Sequence, residues 1–469
     1  MDVEGFARMM LEAMPFEPTD QQVKLTAALA RYCSAFTPSD SVFILNGYAG
    51  TGKTSVMGAL VRSLAAVRMP TVLLASTGRA AKVLAGFTGH PAFTIHRKIY
   101  GAPALGPDGR FHARLLPNPH SNTVFIVDEA SMIGNDPDTG VCGLLEDLIM
   151  YVFSGINCRL IFVGDTAQLP PVGCDESPAM DPGTLRAMGL RVTRATMTRT
   201  VRQKESSGIL FNATWQRRAM SAPQLPEPRL YVRPFGDIAL TDSDDLEYTL
   251  TDSFATFGDD RTIIITRSNR RAVDFNIGLR KIVYDRTELL CKDERLVLAK
   301  NNYFWTRGVS GIDFLANGET AVVEHIYGTE ERNGLQFADV QLHLPDHDIS
   351  LKAKLNLESL TSESAALPFQ AARTVEEQAL LDAGLINPSA TARRQALRAD
   401  PYYNALQVKY AYAVTCHKAQ GGQWDSVFID MGYIPPEAYG SLEFYRWLYT
   451  ATTRATTRLT FINPALPIV

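Results

Sequence analysis

Short apolar, β-branched runs alternate with helix-like stretches through the first 200 residues. "SVFILNG" (41–47), "TVLLAST" (71–77), "TVFIVDE" (123–129) and "CRLIFVGD" (158–165) each read as a buried strand ending in polar or glycine residues. Between them, "KTSVMGALVRSLAAV" (53–67) and "GRAAKVLAGF" (78–87) carry helical periodicity. Buried strands alternating with helices predict an α/β fold with a parallel sheet covered on both faces. Ligands of such sheets sit at the carboxyl ends of the strands. A second unit comes late. "RTIIITRSNRRAVDFNIGLRK" (261–281) reads as strand, turn and helix, "VKYAYAVTCHKAQGGQWDSVFIDMG" (408–432) as strand, polar loop and strand, and "FYRWLYTATTRATTRLTFIN" (444–463) as helix, turn and strand.

Two stretches break this rhythm. Residues 300–365 hold short strand-like runs separated by glycine and polar turns, the texture of a small β-barrel inserted into the second unit, and 366–405 are helical and charged, an arm. Residues 101–121 are rich in proline and glycine and predict a small hairpin or loop projecting from the first unit. The expected division is a first domain over 1–200 with an insertion at about 97–121, a second over 201–299 and 406–469, and the inserted barrel with its arm over 300–405.

Composition narrows the class without choosing a function. The chain has 469 residues, 46% apolar and 20% charged, enough for several cored domains. Net charge is −4, so any surface for nucleic acid must be a local groove or stripe. Six scattered cysteines with no metal-ligand spacing read as reduced thiols. The acidic, interrupted N-terminus does not read as a signal peptide, and no apolar run approaches the ~18 residues needed to span a bilayer. A soluble, cytoplasmic protein without membrane contact is expected.

"GYAGTGKTS" (47–55) matches G-x-x-x-x-G-K-[ST] between a predicted strand and a predicted helix. Its glycines let backbone N–H groups curl around phosphate oxygens, and the following helix presents its positive end. Gly47, Ala49, Gly50, Thr51, Gly52, Lys53, Thr54 and Ser55 are the expected ATP-binding set. Lys53 would reach the terminal phosphates and the Thr54 hydroxyl would bind Mg²⁺. Asp128 and Glu129 end the strand "VFIVDE": Asp128 would hold Mg²⁺, and Glu129 would orient and deprotonate water. A base beside the metal carboxylate favours hydrolysis over transfer to a small acceptor. Gln168, after the strand "LIFVGD", is placed to report a γ-phosphate by a hydrogen bond.

"GDTAQLPPV" (164–172) following "DEAS" resembles the superfamily 1 helicases of the RecD/Dda type, and the resemblance covers most of the chain. In family order, "FEPTDQQ" implies that Gln22 reads adenine, "LLASTGRAAKVL" (73–84) that Thr77 and Arg79 touch DNA, and "TIHRKIY" (94–100) that His96 does. "MTRTVRQ" (197–203) implies that Arg202 serves the γ-phosphate. "AYAVTCHKAQGGQWD" (411–425) resembles the T-x-H-K-x-Q-G element, with Thr415, His417 and Lys418 on DNA and Gln420, Gly421 and Gln423 toward the nucleotide. "LYTATTRAT" (448–456) implies an arginine finger at Arg454. Two elements depart from the family pattern: Gln423 stands where a glutamate is common, and the last element reads "TATTRAT" in place of the commoner V-A-L/V-T-R-A form, with Thr452 and Thr453 unusual.

The resemblance implies two RecA-like motor domains with an inserted SH3-like barrel, and ATP with Mg²⁺ as cofactors. It further implies unwinding with movement from 5′ to 3′ on single-stranded DNA. Within the barrel region, Phe304, Trp305 and Tyr327 are either base-stacking rings or core. Expected partners are single strands and single/double-strand junctions, with replication or recombination proteins as further candidates and a monomer as the active form. A DNA-dependent ATPase that remodels protein–DNA complexes, or the motor subunit of a recombination or repair complex, remains the alternative. No residue reads the 2′-hydroxyl, so an RNA motor also stays open.

Overall fold

The computed structural model describes residues 2–34, 37–105, 111–134, 142–199, 207–312, 314–364, 367–464 and 466–469. The first unit contains β1 (Ser41–Gly47), β2 (Thr71–Ala75), β3 (Ala92–Thr94), the paired β4 (Tyr100–Leu105) and β5 (Phe111–Leu115), then β6 (Val124–Asp128), β7 (Arg159–Gly164) and β8 (Arg191–Met197). Among the described residues, six of these form one parallel sheet in the order β3-β2-β6-β7-β1-β8. Every residue of β1 and β7 is buried, as expected for central strands covered on both faces. Phe43 and Leu45 point into one core layer with the helices 20–32 and 53–66, and Val42 and Ile44 into the other. β4 and β5, the described part of the Pro/Gly-rich insertion before residue 116, form a separate antiparallel pair.

The second unit contains β9 (Ile238–Thr241) and β10 (Thr262–Thr266), then β11 (Arg295–Leu298), β12 (Thr320–Arg332), β13 (Leu335–Leu344), β14 (Ile349–Asn356) and β15 (Leu406–Tyr410). It ends with β16 (Ala413–Thr415), β17 (Trp424–Asp430) and β18 (Ala455–Ile462). A second parallel sheet runs β16-β10-β17-β18-β9, and β11 to β15 close into a barrel. The architecture is therefore two RecA-like parallel-sheet domains with a small five-stranded barrel inserted in the second.

The barrel takes in more chain than the 300–405 segment. Its first strand, β11, precedes residue 300, and its last, β15, is the "LQVKY" run that the sequence assigns to the second sheet. The reason is continuity: β15 passes through Ala411 and Tyr412 straight into β16, so one apolar run serves two sheets. The helices Phe369–Asp382 and Ala390–Ala399 form the arm between β14 and β15. The barrel entrance is tied to the second unit by Glu294, 0% exposed in its side chain. It takes two hydrogen bonds from Arg280, at 3.0 and 2.8 Å, and one each from Arg286 and Tyr412.

Candidate nucleotide site and single-strand path

β1 delivers Gly47 to the carboxyl end of the sheet, and the loop turns before the helix Lys53–Ala66. Gly50 and Gly52 take φ of 76° and 84°, conformations that glycine adopts without penalty. A Cβ on Gly47 would stand 2.7 Å from Lys53 Cγ, so only glycine lets the lysine lie across the loop. Lys53 Nζ donates to the Gly47 carbonyl and, at 3.3 Å, to that of Tyr48. Gln22 is fully buried in the first turn of the helix Asp20–Tyr32. Its Oε1 accepts the Thr19 N–H in a capping box, while its Nε2 lies 3.4 Å from the Thr51 carbonyl, joining this helix to the loop.

β6 presents Asp128 and Glu129 across the crevice. Glu129 has φ of 51°, the left-handed region that a non-glycine residue enters rarely. Its N–H donates to Asp128 Oδ1 at 2.9 Å. Burial pushes the Asp128 carboxyl up to about 6, and the neighbouring Glu129 charge adds to this, against the opposing pull of the N–H bond and Lys53. Asp128 and Thr54 are hard oxygen donors, which fits Mg²⁺. From β7, Asp165 is buried, and Gln168 Oε1 is a buried acceptor without a partner among the described residues. An orphaned acceptor, a glycine loop and a desolvated carboxylate fit a phosphate–Mg²⁺ site.

The second unit closes one side of this site. Tyr449, on the helix Leu442–Thr452, accepts the Ala49 N–H at 2.9 Å and donates to Asp165 Oδ2 at 2.7 Å. Burial, with the Asp165 charge, pushes its phenol well above the ordinary range, so it remains a donor. The Leu169 N–H donates to Thr450 Oγ1 at 2.8 Å, and Gln420 Nε2 donates to the Leu169 carbonyl at 2.7 Å. The loop bearing Gln168 is thereby gripped from the opposite domain. Gly421, at φ 72°, fits tightly: a Cβ there would lie 3.2 Å from Thr77 Oγ1 and 3.9 Å from Glu129 Cγ.

The arginines divide. Arg454 is 3% exposed and bonds within its own unit, to the carbonyls of Thr450 and Gly422 and to Thr453 Oγ1. Arg202 lies outside the described residues. Arg217, which sequence reasoning missed, places its guanidinium 4.3 Å over the ring of Tyr48 in the phosphate loop and donates to the Thr198 carbonyl at 3.0 Å. Tyr449, Thr450 and Arg217 carry no spacing signature; each is marked only by a partner distant in sequence.

The residues assigned to DNA fall in three places. Thr77 caps the helix Gly78–Thr88 and abuts Gly421. Arg79 donates to the Gln423 carbonyl at 3.0 Å and lies 4.0 Å over Trp424. Desolvation pushes its guanidinium down to about 10, still cationic at neutral pH. The Gln423 side chain itself is exposed. Thr415 ends β16 beside His417 and Lys418, both shifted down by burial. Lys409, unflagged by any motif, shares a small cavity with Thr415 and Lys418. Burial and then repulsion from Lys418 push its amine down to about 8. His96 lies apart, its imidazole pushed down by burial and 5.7 Å from the ring of Tyr100. Near it, Arg97 donates to the Gly311 carbonyl at 2.9 Å, and Lys82 donates to that of Pro345 at 2.8 Å, so the first domain braces the barrel region. Of the barrel-region rings, Trp305 packs on the core and donates to the Asn404 carbonyl, Phe304 lies between Trp305 and Arg307, and Tyr327 is half exposed beneath Lys352.

Residues 24–222 match the AAA domain family, and residues 410–462 match the UvrD-like helicase C-terminal domain. The chain is 37% identical over 129 residues to the ATP-dependent RecD2 DNA helicase of Deinococcus radiodurans, a match covering 28% of this chain and 16% of that protein. It is 32% identical over 151 residues to the ATP-dependent DNA helicase Pif1 of Bdellovibrio bacteriovorus, covering 32% of this chain and 34% of that protein. These matches thus span about a sixth and about a third of the relatives' lengths. A solved Pif1 helicase from Bacteroides, in complex with ADP-AlF3 and ssDNA, superposes with a TM-score of 0.48 at 16% identity, over 95% of this chain and 92% of that one. The two family matches lie in order on the two parallel-sheet domains, and over the matched segments the chain is similar to superfamily 1 helicases of the RecD and Pif1 type.

Proposed function

We propose that this chain hydrolyses ATP and uses the energy to move along single-stranded DNA from 5′ to 3′, unwinding duplex ahead of it. The observation that carries this reading is the hydroxyl of Tyr449 in the second domain, bonded at once to two groups of the first, the phosphate-loop amide of Ala49 and the Asp165 carboxylate at the end of β7. A site built from both domains changes their relation when its occupant changes, which is what a motor requires.

The loop amides and Lys53 bind the phosphates. Asp128 and Thr54 would hold Mg²⁺, which would supply charge neutralisation at the phosphoryl oxygens. Glu129 orients water and takes its proton. Gln168 accepts a hydrogen bond from the water or its neighbour and passes the change through Leu169 to Thr450 and Gln420. Arg202 and Arg454 serve the γ-phosphate. Arg454 does so after turning from the Thr450 and Gly422 carbonyls as the domains close. Thr77, Arg79 and His96 on one domain and Thr415, His417 and Lys418 on the other hold the strand by its backbone, without reading sequence. The polarity rests on the RecD resemblance. The short β4–β5 pair favours a second reading, remodelling of protein–DNA complexes with little unwinding.

ATP hydrolysis with and without oligo(dT) tests the core of the proposal. Strong stimulation by the single strand is expected, and a rate indifferent to DNA would sink the motor reading.

A further inference from the structure

A cleft of about 750 Å³ opens beyond His96, between the first domain, the turn 300–307 and the two arm helices. Its lining runs against the chain's acidic balance. Lys300, Arg307, Arg373, Arg393 and Arg398 face a single carboxylate, Glu376. Arg393 pairs with Glu376 and Arg373 with Glu377, while the Arg307 guanidinium lies 4.7 Å over the Phe304 ring. The cleft also keeps aromatic rings at the surface: Tyr303 is 38% exposed, Tyr403 42% and Phe369 77%. Tyr303 has one face stacked on Phe314, at 5.0 Å between ring centres.

Exposed rings gain nothing from water, and clustered cations repel one another, so both features favour a ligand with flat π faces and negative charge. Base-on-ring stacking between cations that track a backbone is how single strands are bound without sequence preference. The volume lies in the range of clefts that enclose a ligand of drug size, one or two nucleotide units and not a duplex. We propose that this cleft is a base-stacking subsite for single-stranded DNA, extending the strand path past His96, with Tyr303, Tyr403 and Phe369 as stacking faces and Lys300 as a phosphate partner. The subsite lies on the arm and its facing turn, outside the closed barrel. It rests on the single-strand reading above.

The test is fluorescence anisotropy on the full chain, using oligo(dT) and an abasic oligomer of the same length that keeps the phosphates and lacks the bases. The Tyr303→Ala/Tyr403→Ala variant should bind oligo(dT) about tenfold more weakly, the scale of a lost base stack, and bind the abasic strand as the unchanged protein does. Phe369→Ala, at a position too exposed to affect folding, should weaken oligo(dT) binding in the same direction. In Lys300→Gln the plot of log affinity against log salt should flatten by about 0.7, one phosphate contact on a single strand. Unchanged oligo(dT) affinity in both aromatic variants, or an equal loss on the abasic strand, would overturn the subsite. Failure of the unchanged protein to bind either strand would instead overturn the motor reading on which it rests.

Discussion

Glu129 holds a left-handed backbone at the end of β6, beside a carboxyl whose pKa burial has raised to about 6. Strain and a desolvated acid kept together at a strand end point to chemistry and not to stability. Glu129→Gln is expected to keep ATP binding and lower kcat by about 10²–10⁴-fold, the usual weight of a general base; steady-state rates with a nucleotide-binding titration check it. Tyr449→Phe keeps the buried ring and removes only the hydroxyl, leaving the Ala49 N–H and Asp165 Oδ2 without it. The change should cost about 1–3 kcal/mol of inter-domain contact. It should lower the DNA-stimulated rate far more than the DNA-independent one, and equal lowering of both would count against a coupling role. Arg454→Ala should lower kcat roughly 10³-fold while ATP remains bound; single-turnover rates read the difference. The phosphate loop and the Asp128–Glu129 pair were legible in the sequence because local backbone geometry demands glycines and strand ends at fixed spacing. Tyr449 was not, because its partner Ala49 lies 400 positions away and a tyrosine on an amphipathic helix reads as core.

At the scale of elements, the parallel strands were legible because full burial leaves uninterrupted apolar runs, as in β1 and β7. The barrel's limits were not. β15 and β16 share one apolar run, and periodicity does not tell which sheet a strand joins. The junction between barrel and second domain rests on Glu294, whose two oxygens take bonds from Arg280, Arg286 and Tyr412. Glu294→Ala would strand the Arg280 guanidinium, only 5% exposed, without its counter-charge. The loss is expected to be about 3–5 kcal/mol, visible as a lower first transition in calorimetry, with the first domain's own unfolding unshifted.

On the scale of the whole molecule, the two sheets bring the carboxyl ends of β1, β6 and β7 against the helix Leu442–Thr452 and the 415–424 segment. The proposed nucleotide site and the Thr77–Arg79 part of the proposed strand path therefore meet at one inter-domain seam, with His96 apart from it. Thr77 and Glu129 both lie beside Gly421, where a Cβ would sit 3.2 Å from Thr77 Oγ1 and 3.9 Å from Glu129 Cγ, so the two first-domain residues meet the second domain at one backbone position. An overall charge of −4 conceals that cations gather locally at the arm cleft and at the Lys409–Lys418 pair. The most direct measurement is ATP-dependent unwinding of duplexes that carry either a 5′ or a 3′ single-stranded overhang. The account predicts unwinding from the 5′ overhang alone, abolished in Glu129→Gln. Unwinding from the 3′ overhang alone, or none from either, would contradict it.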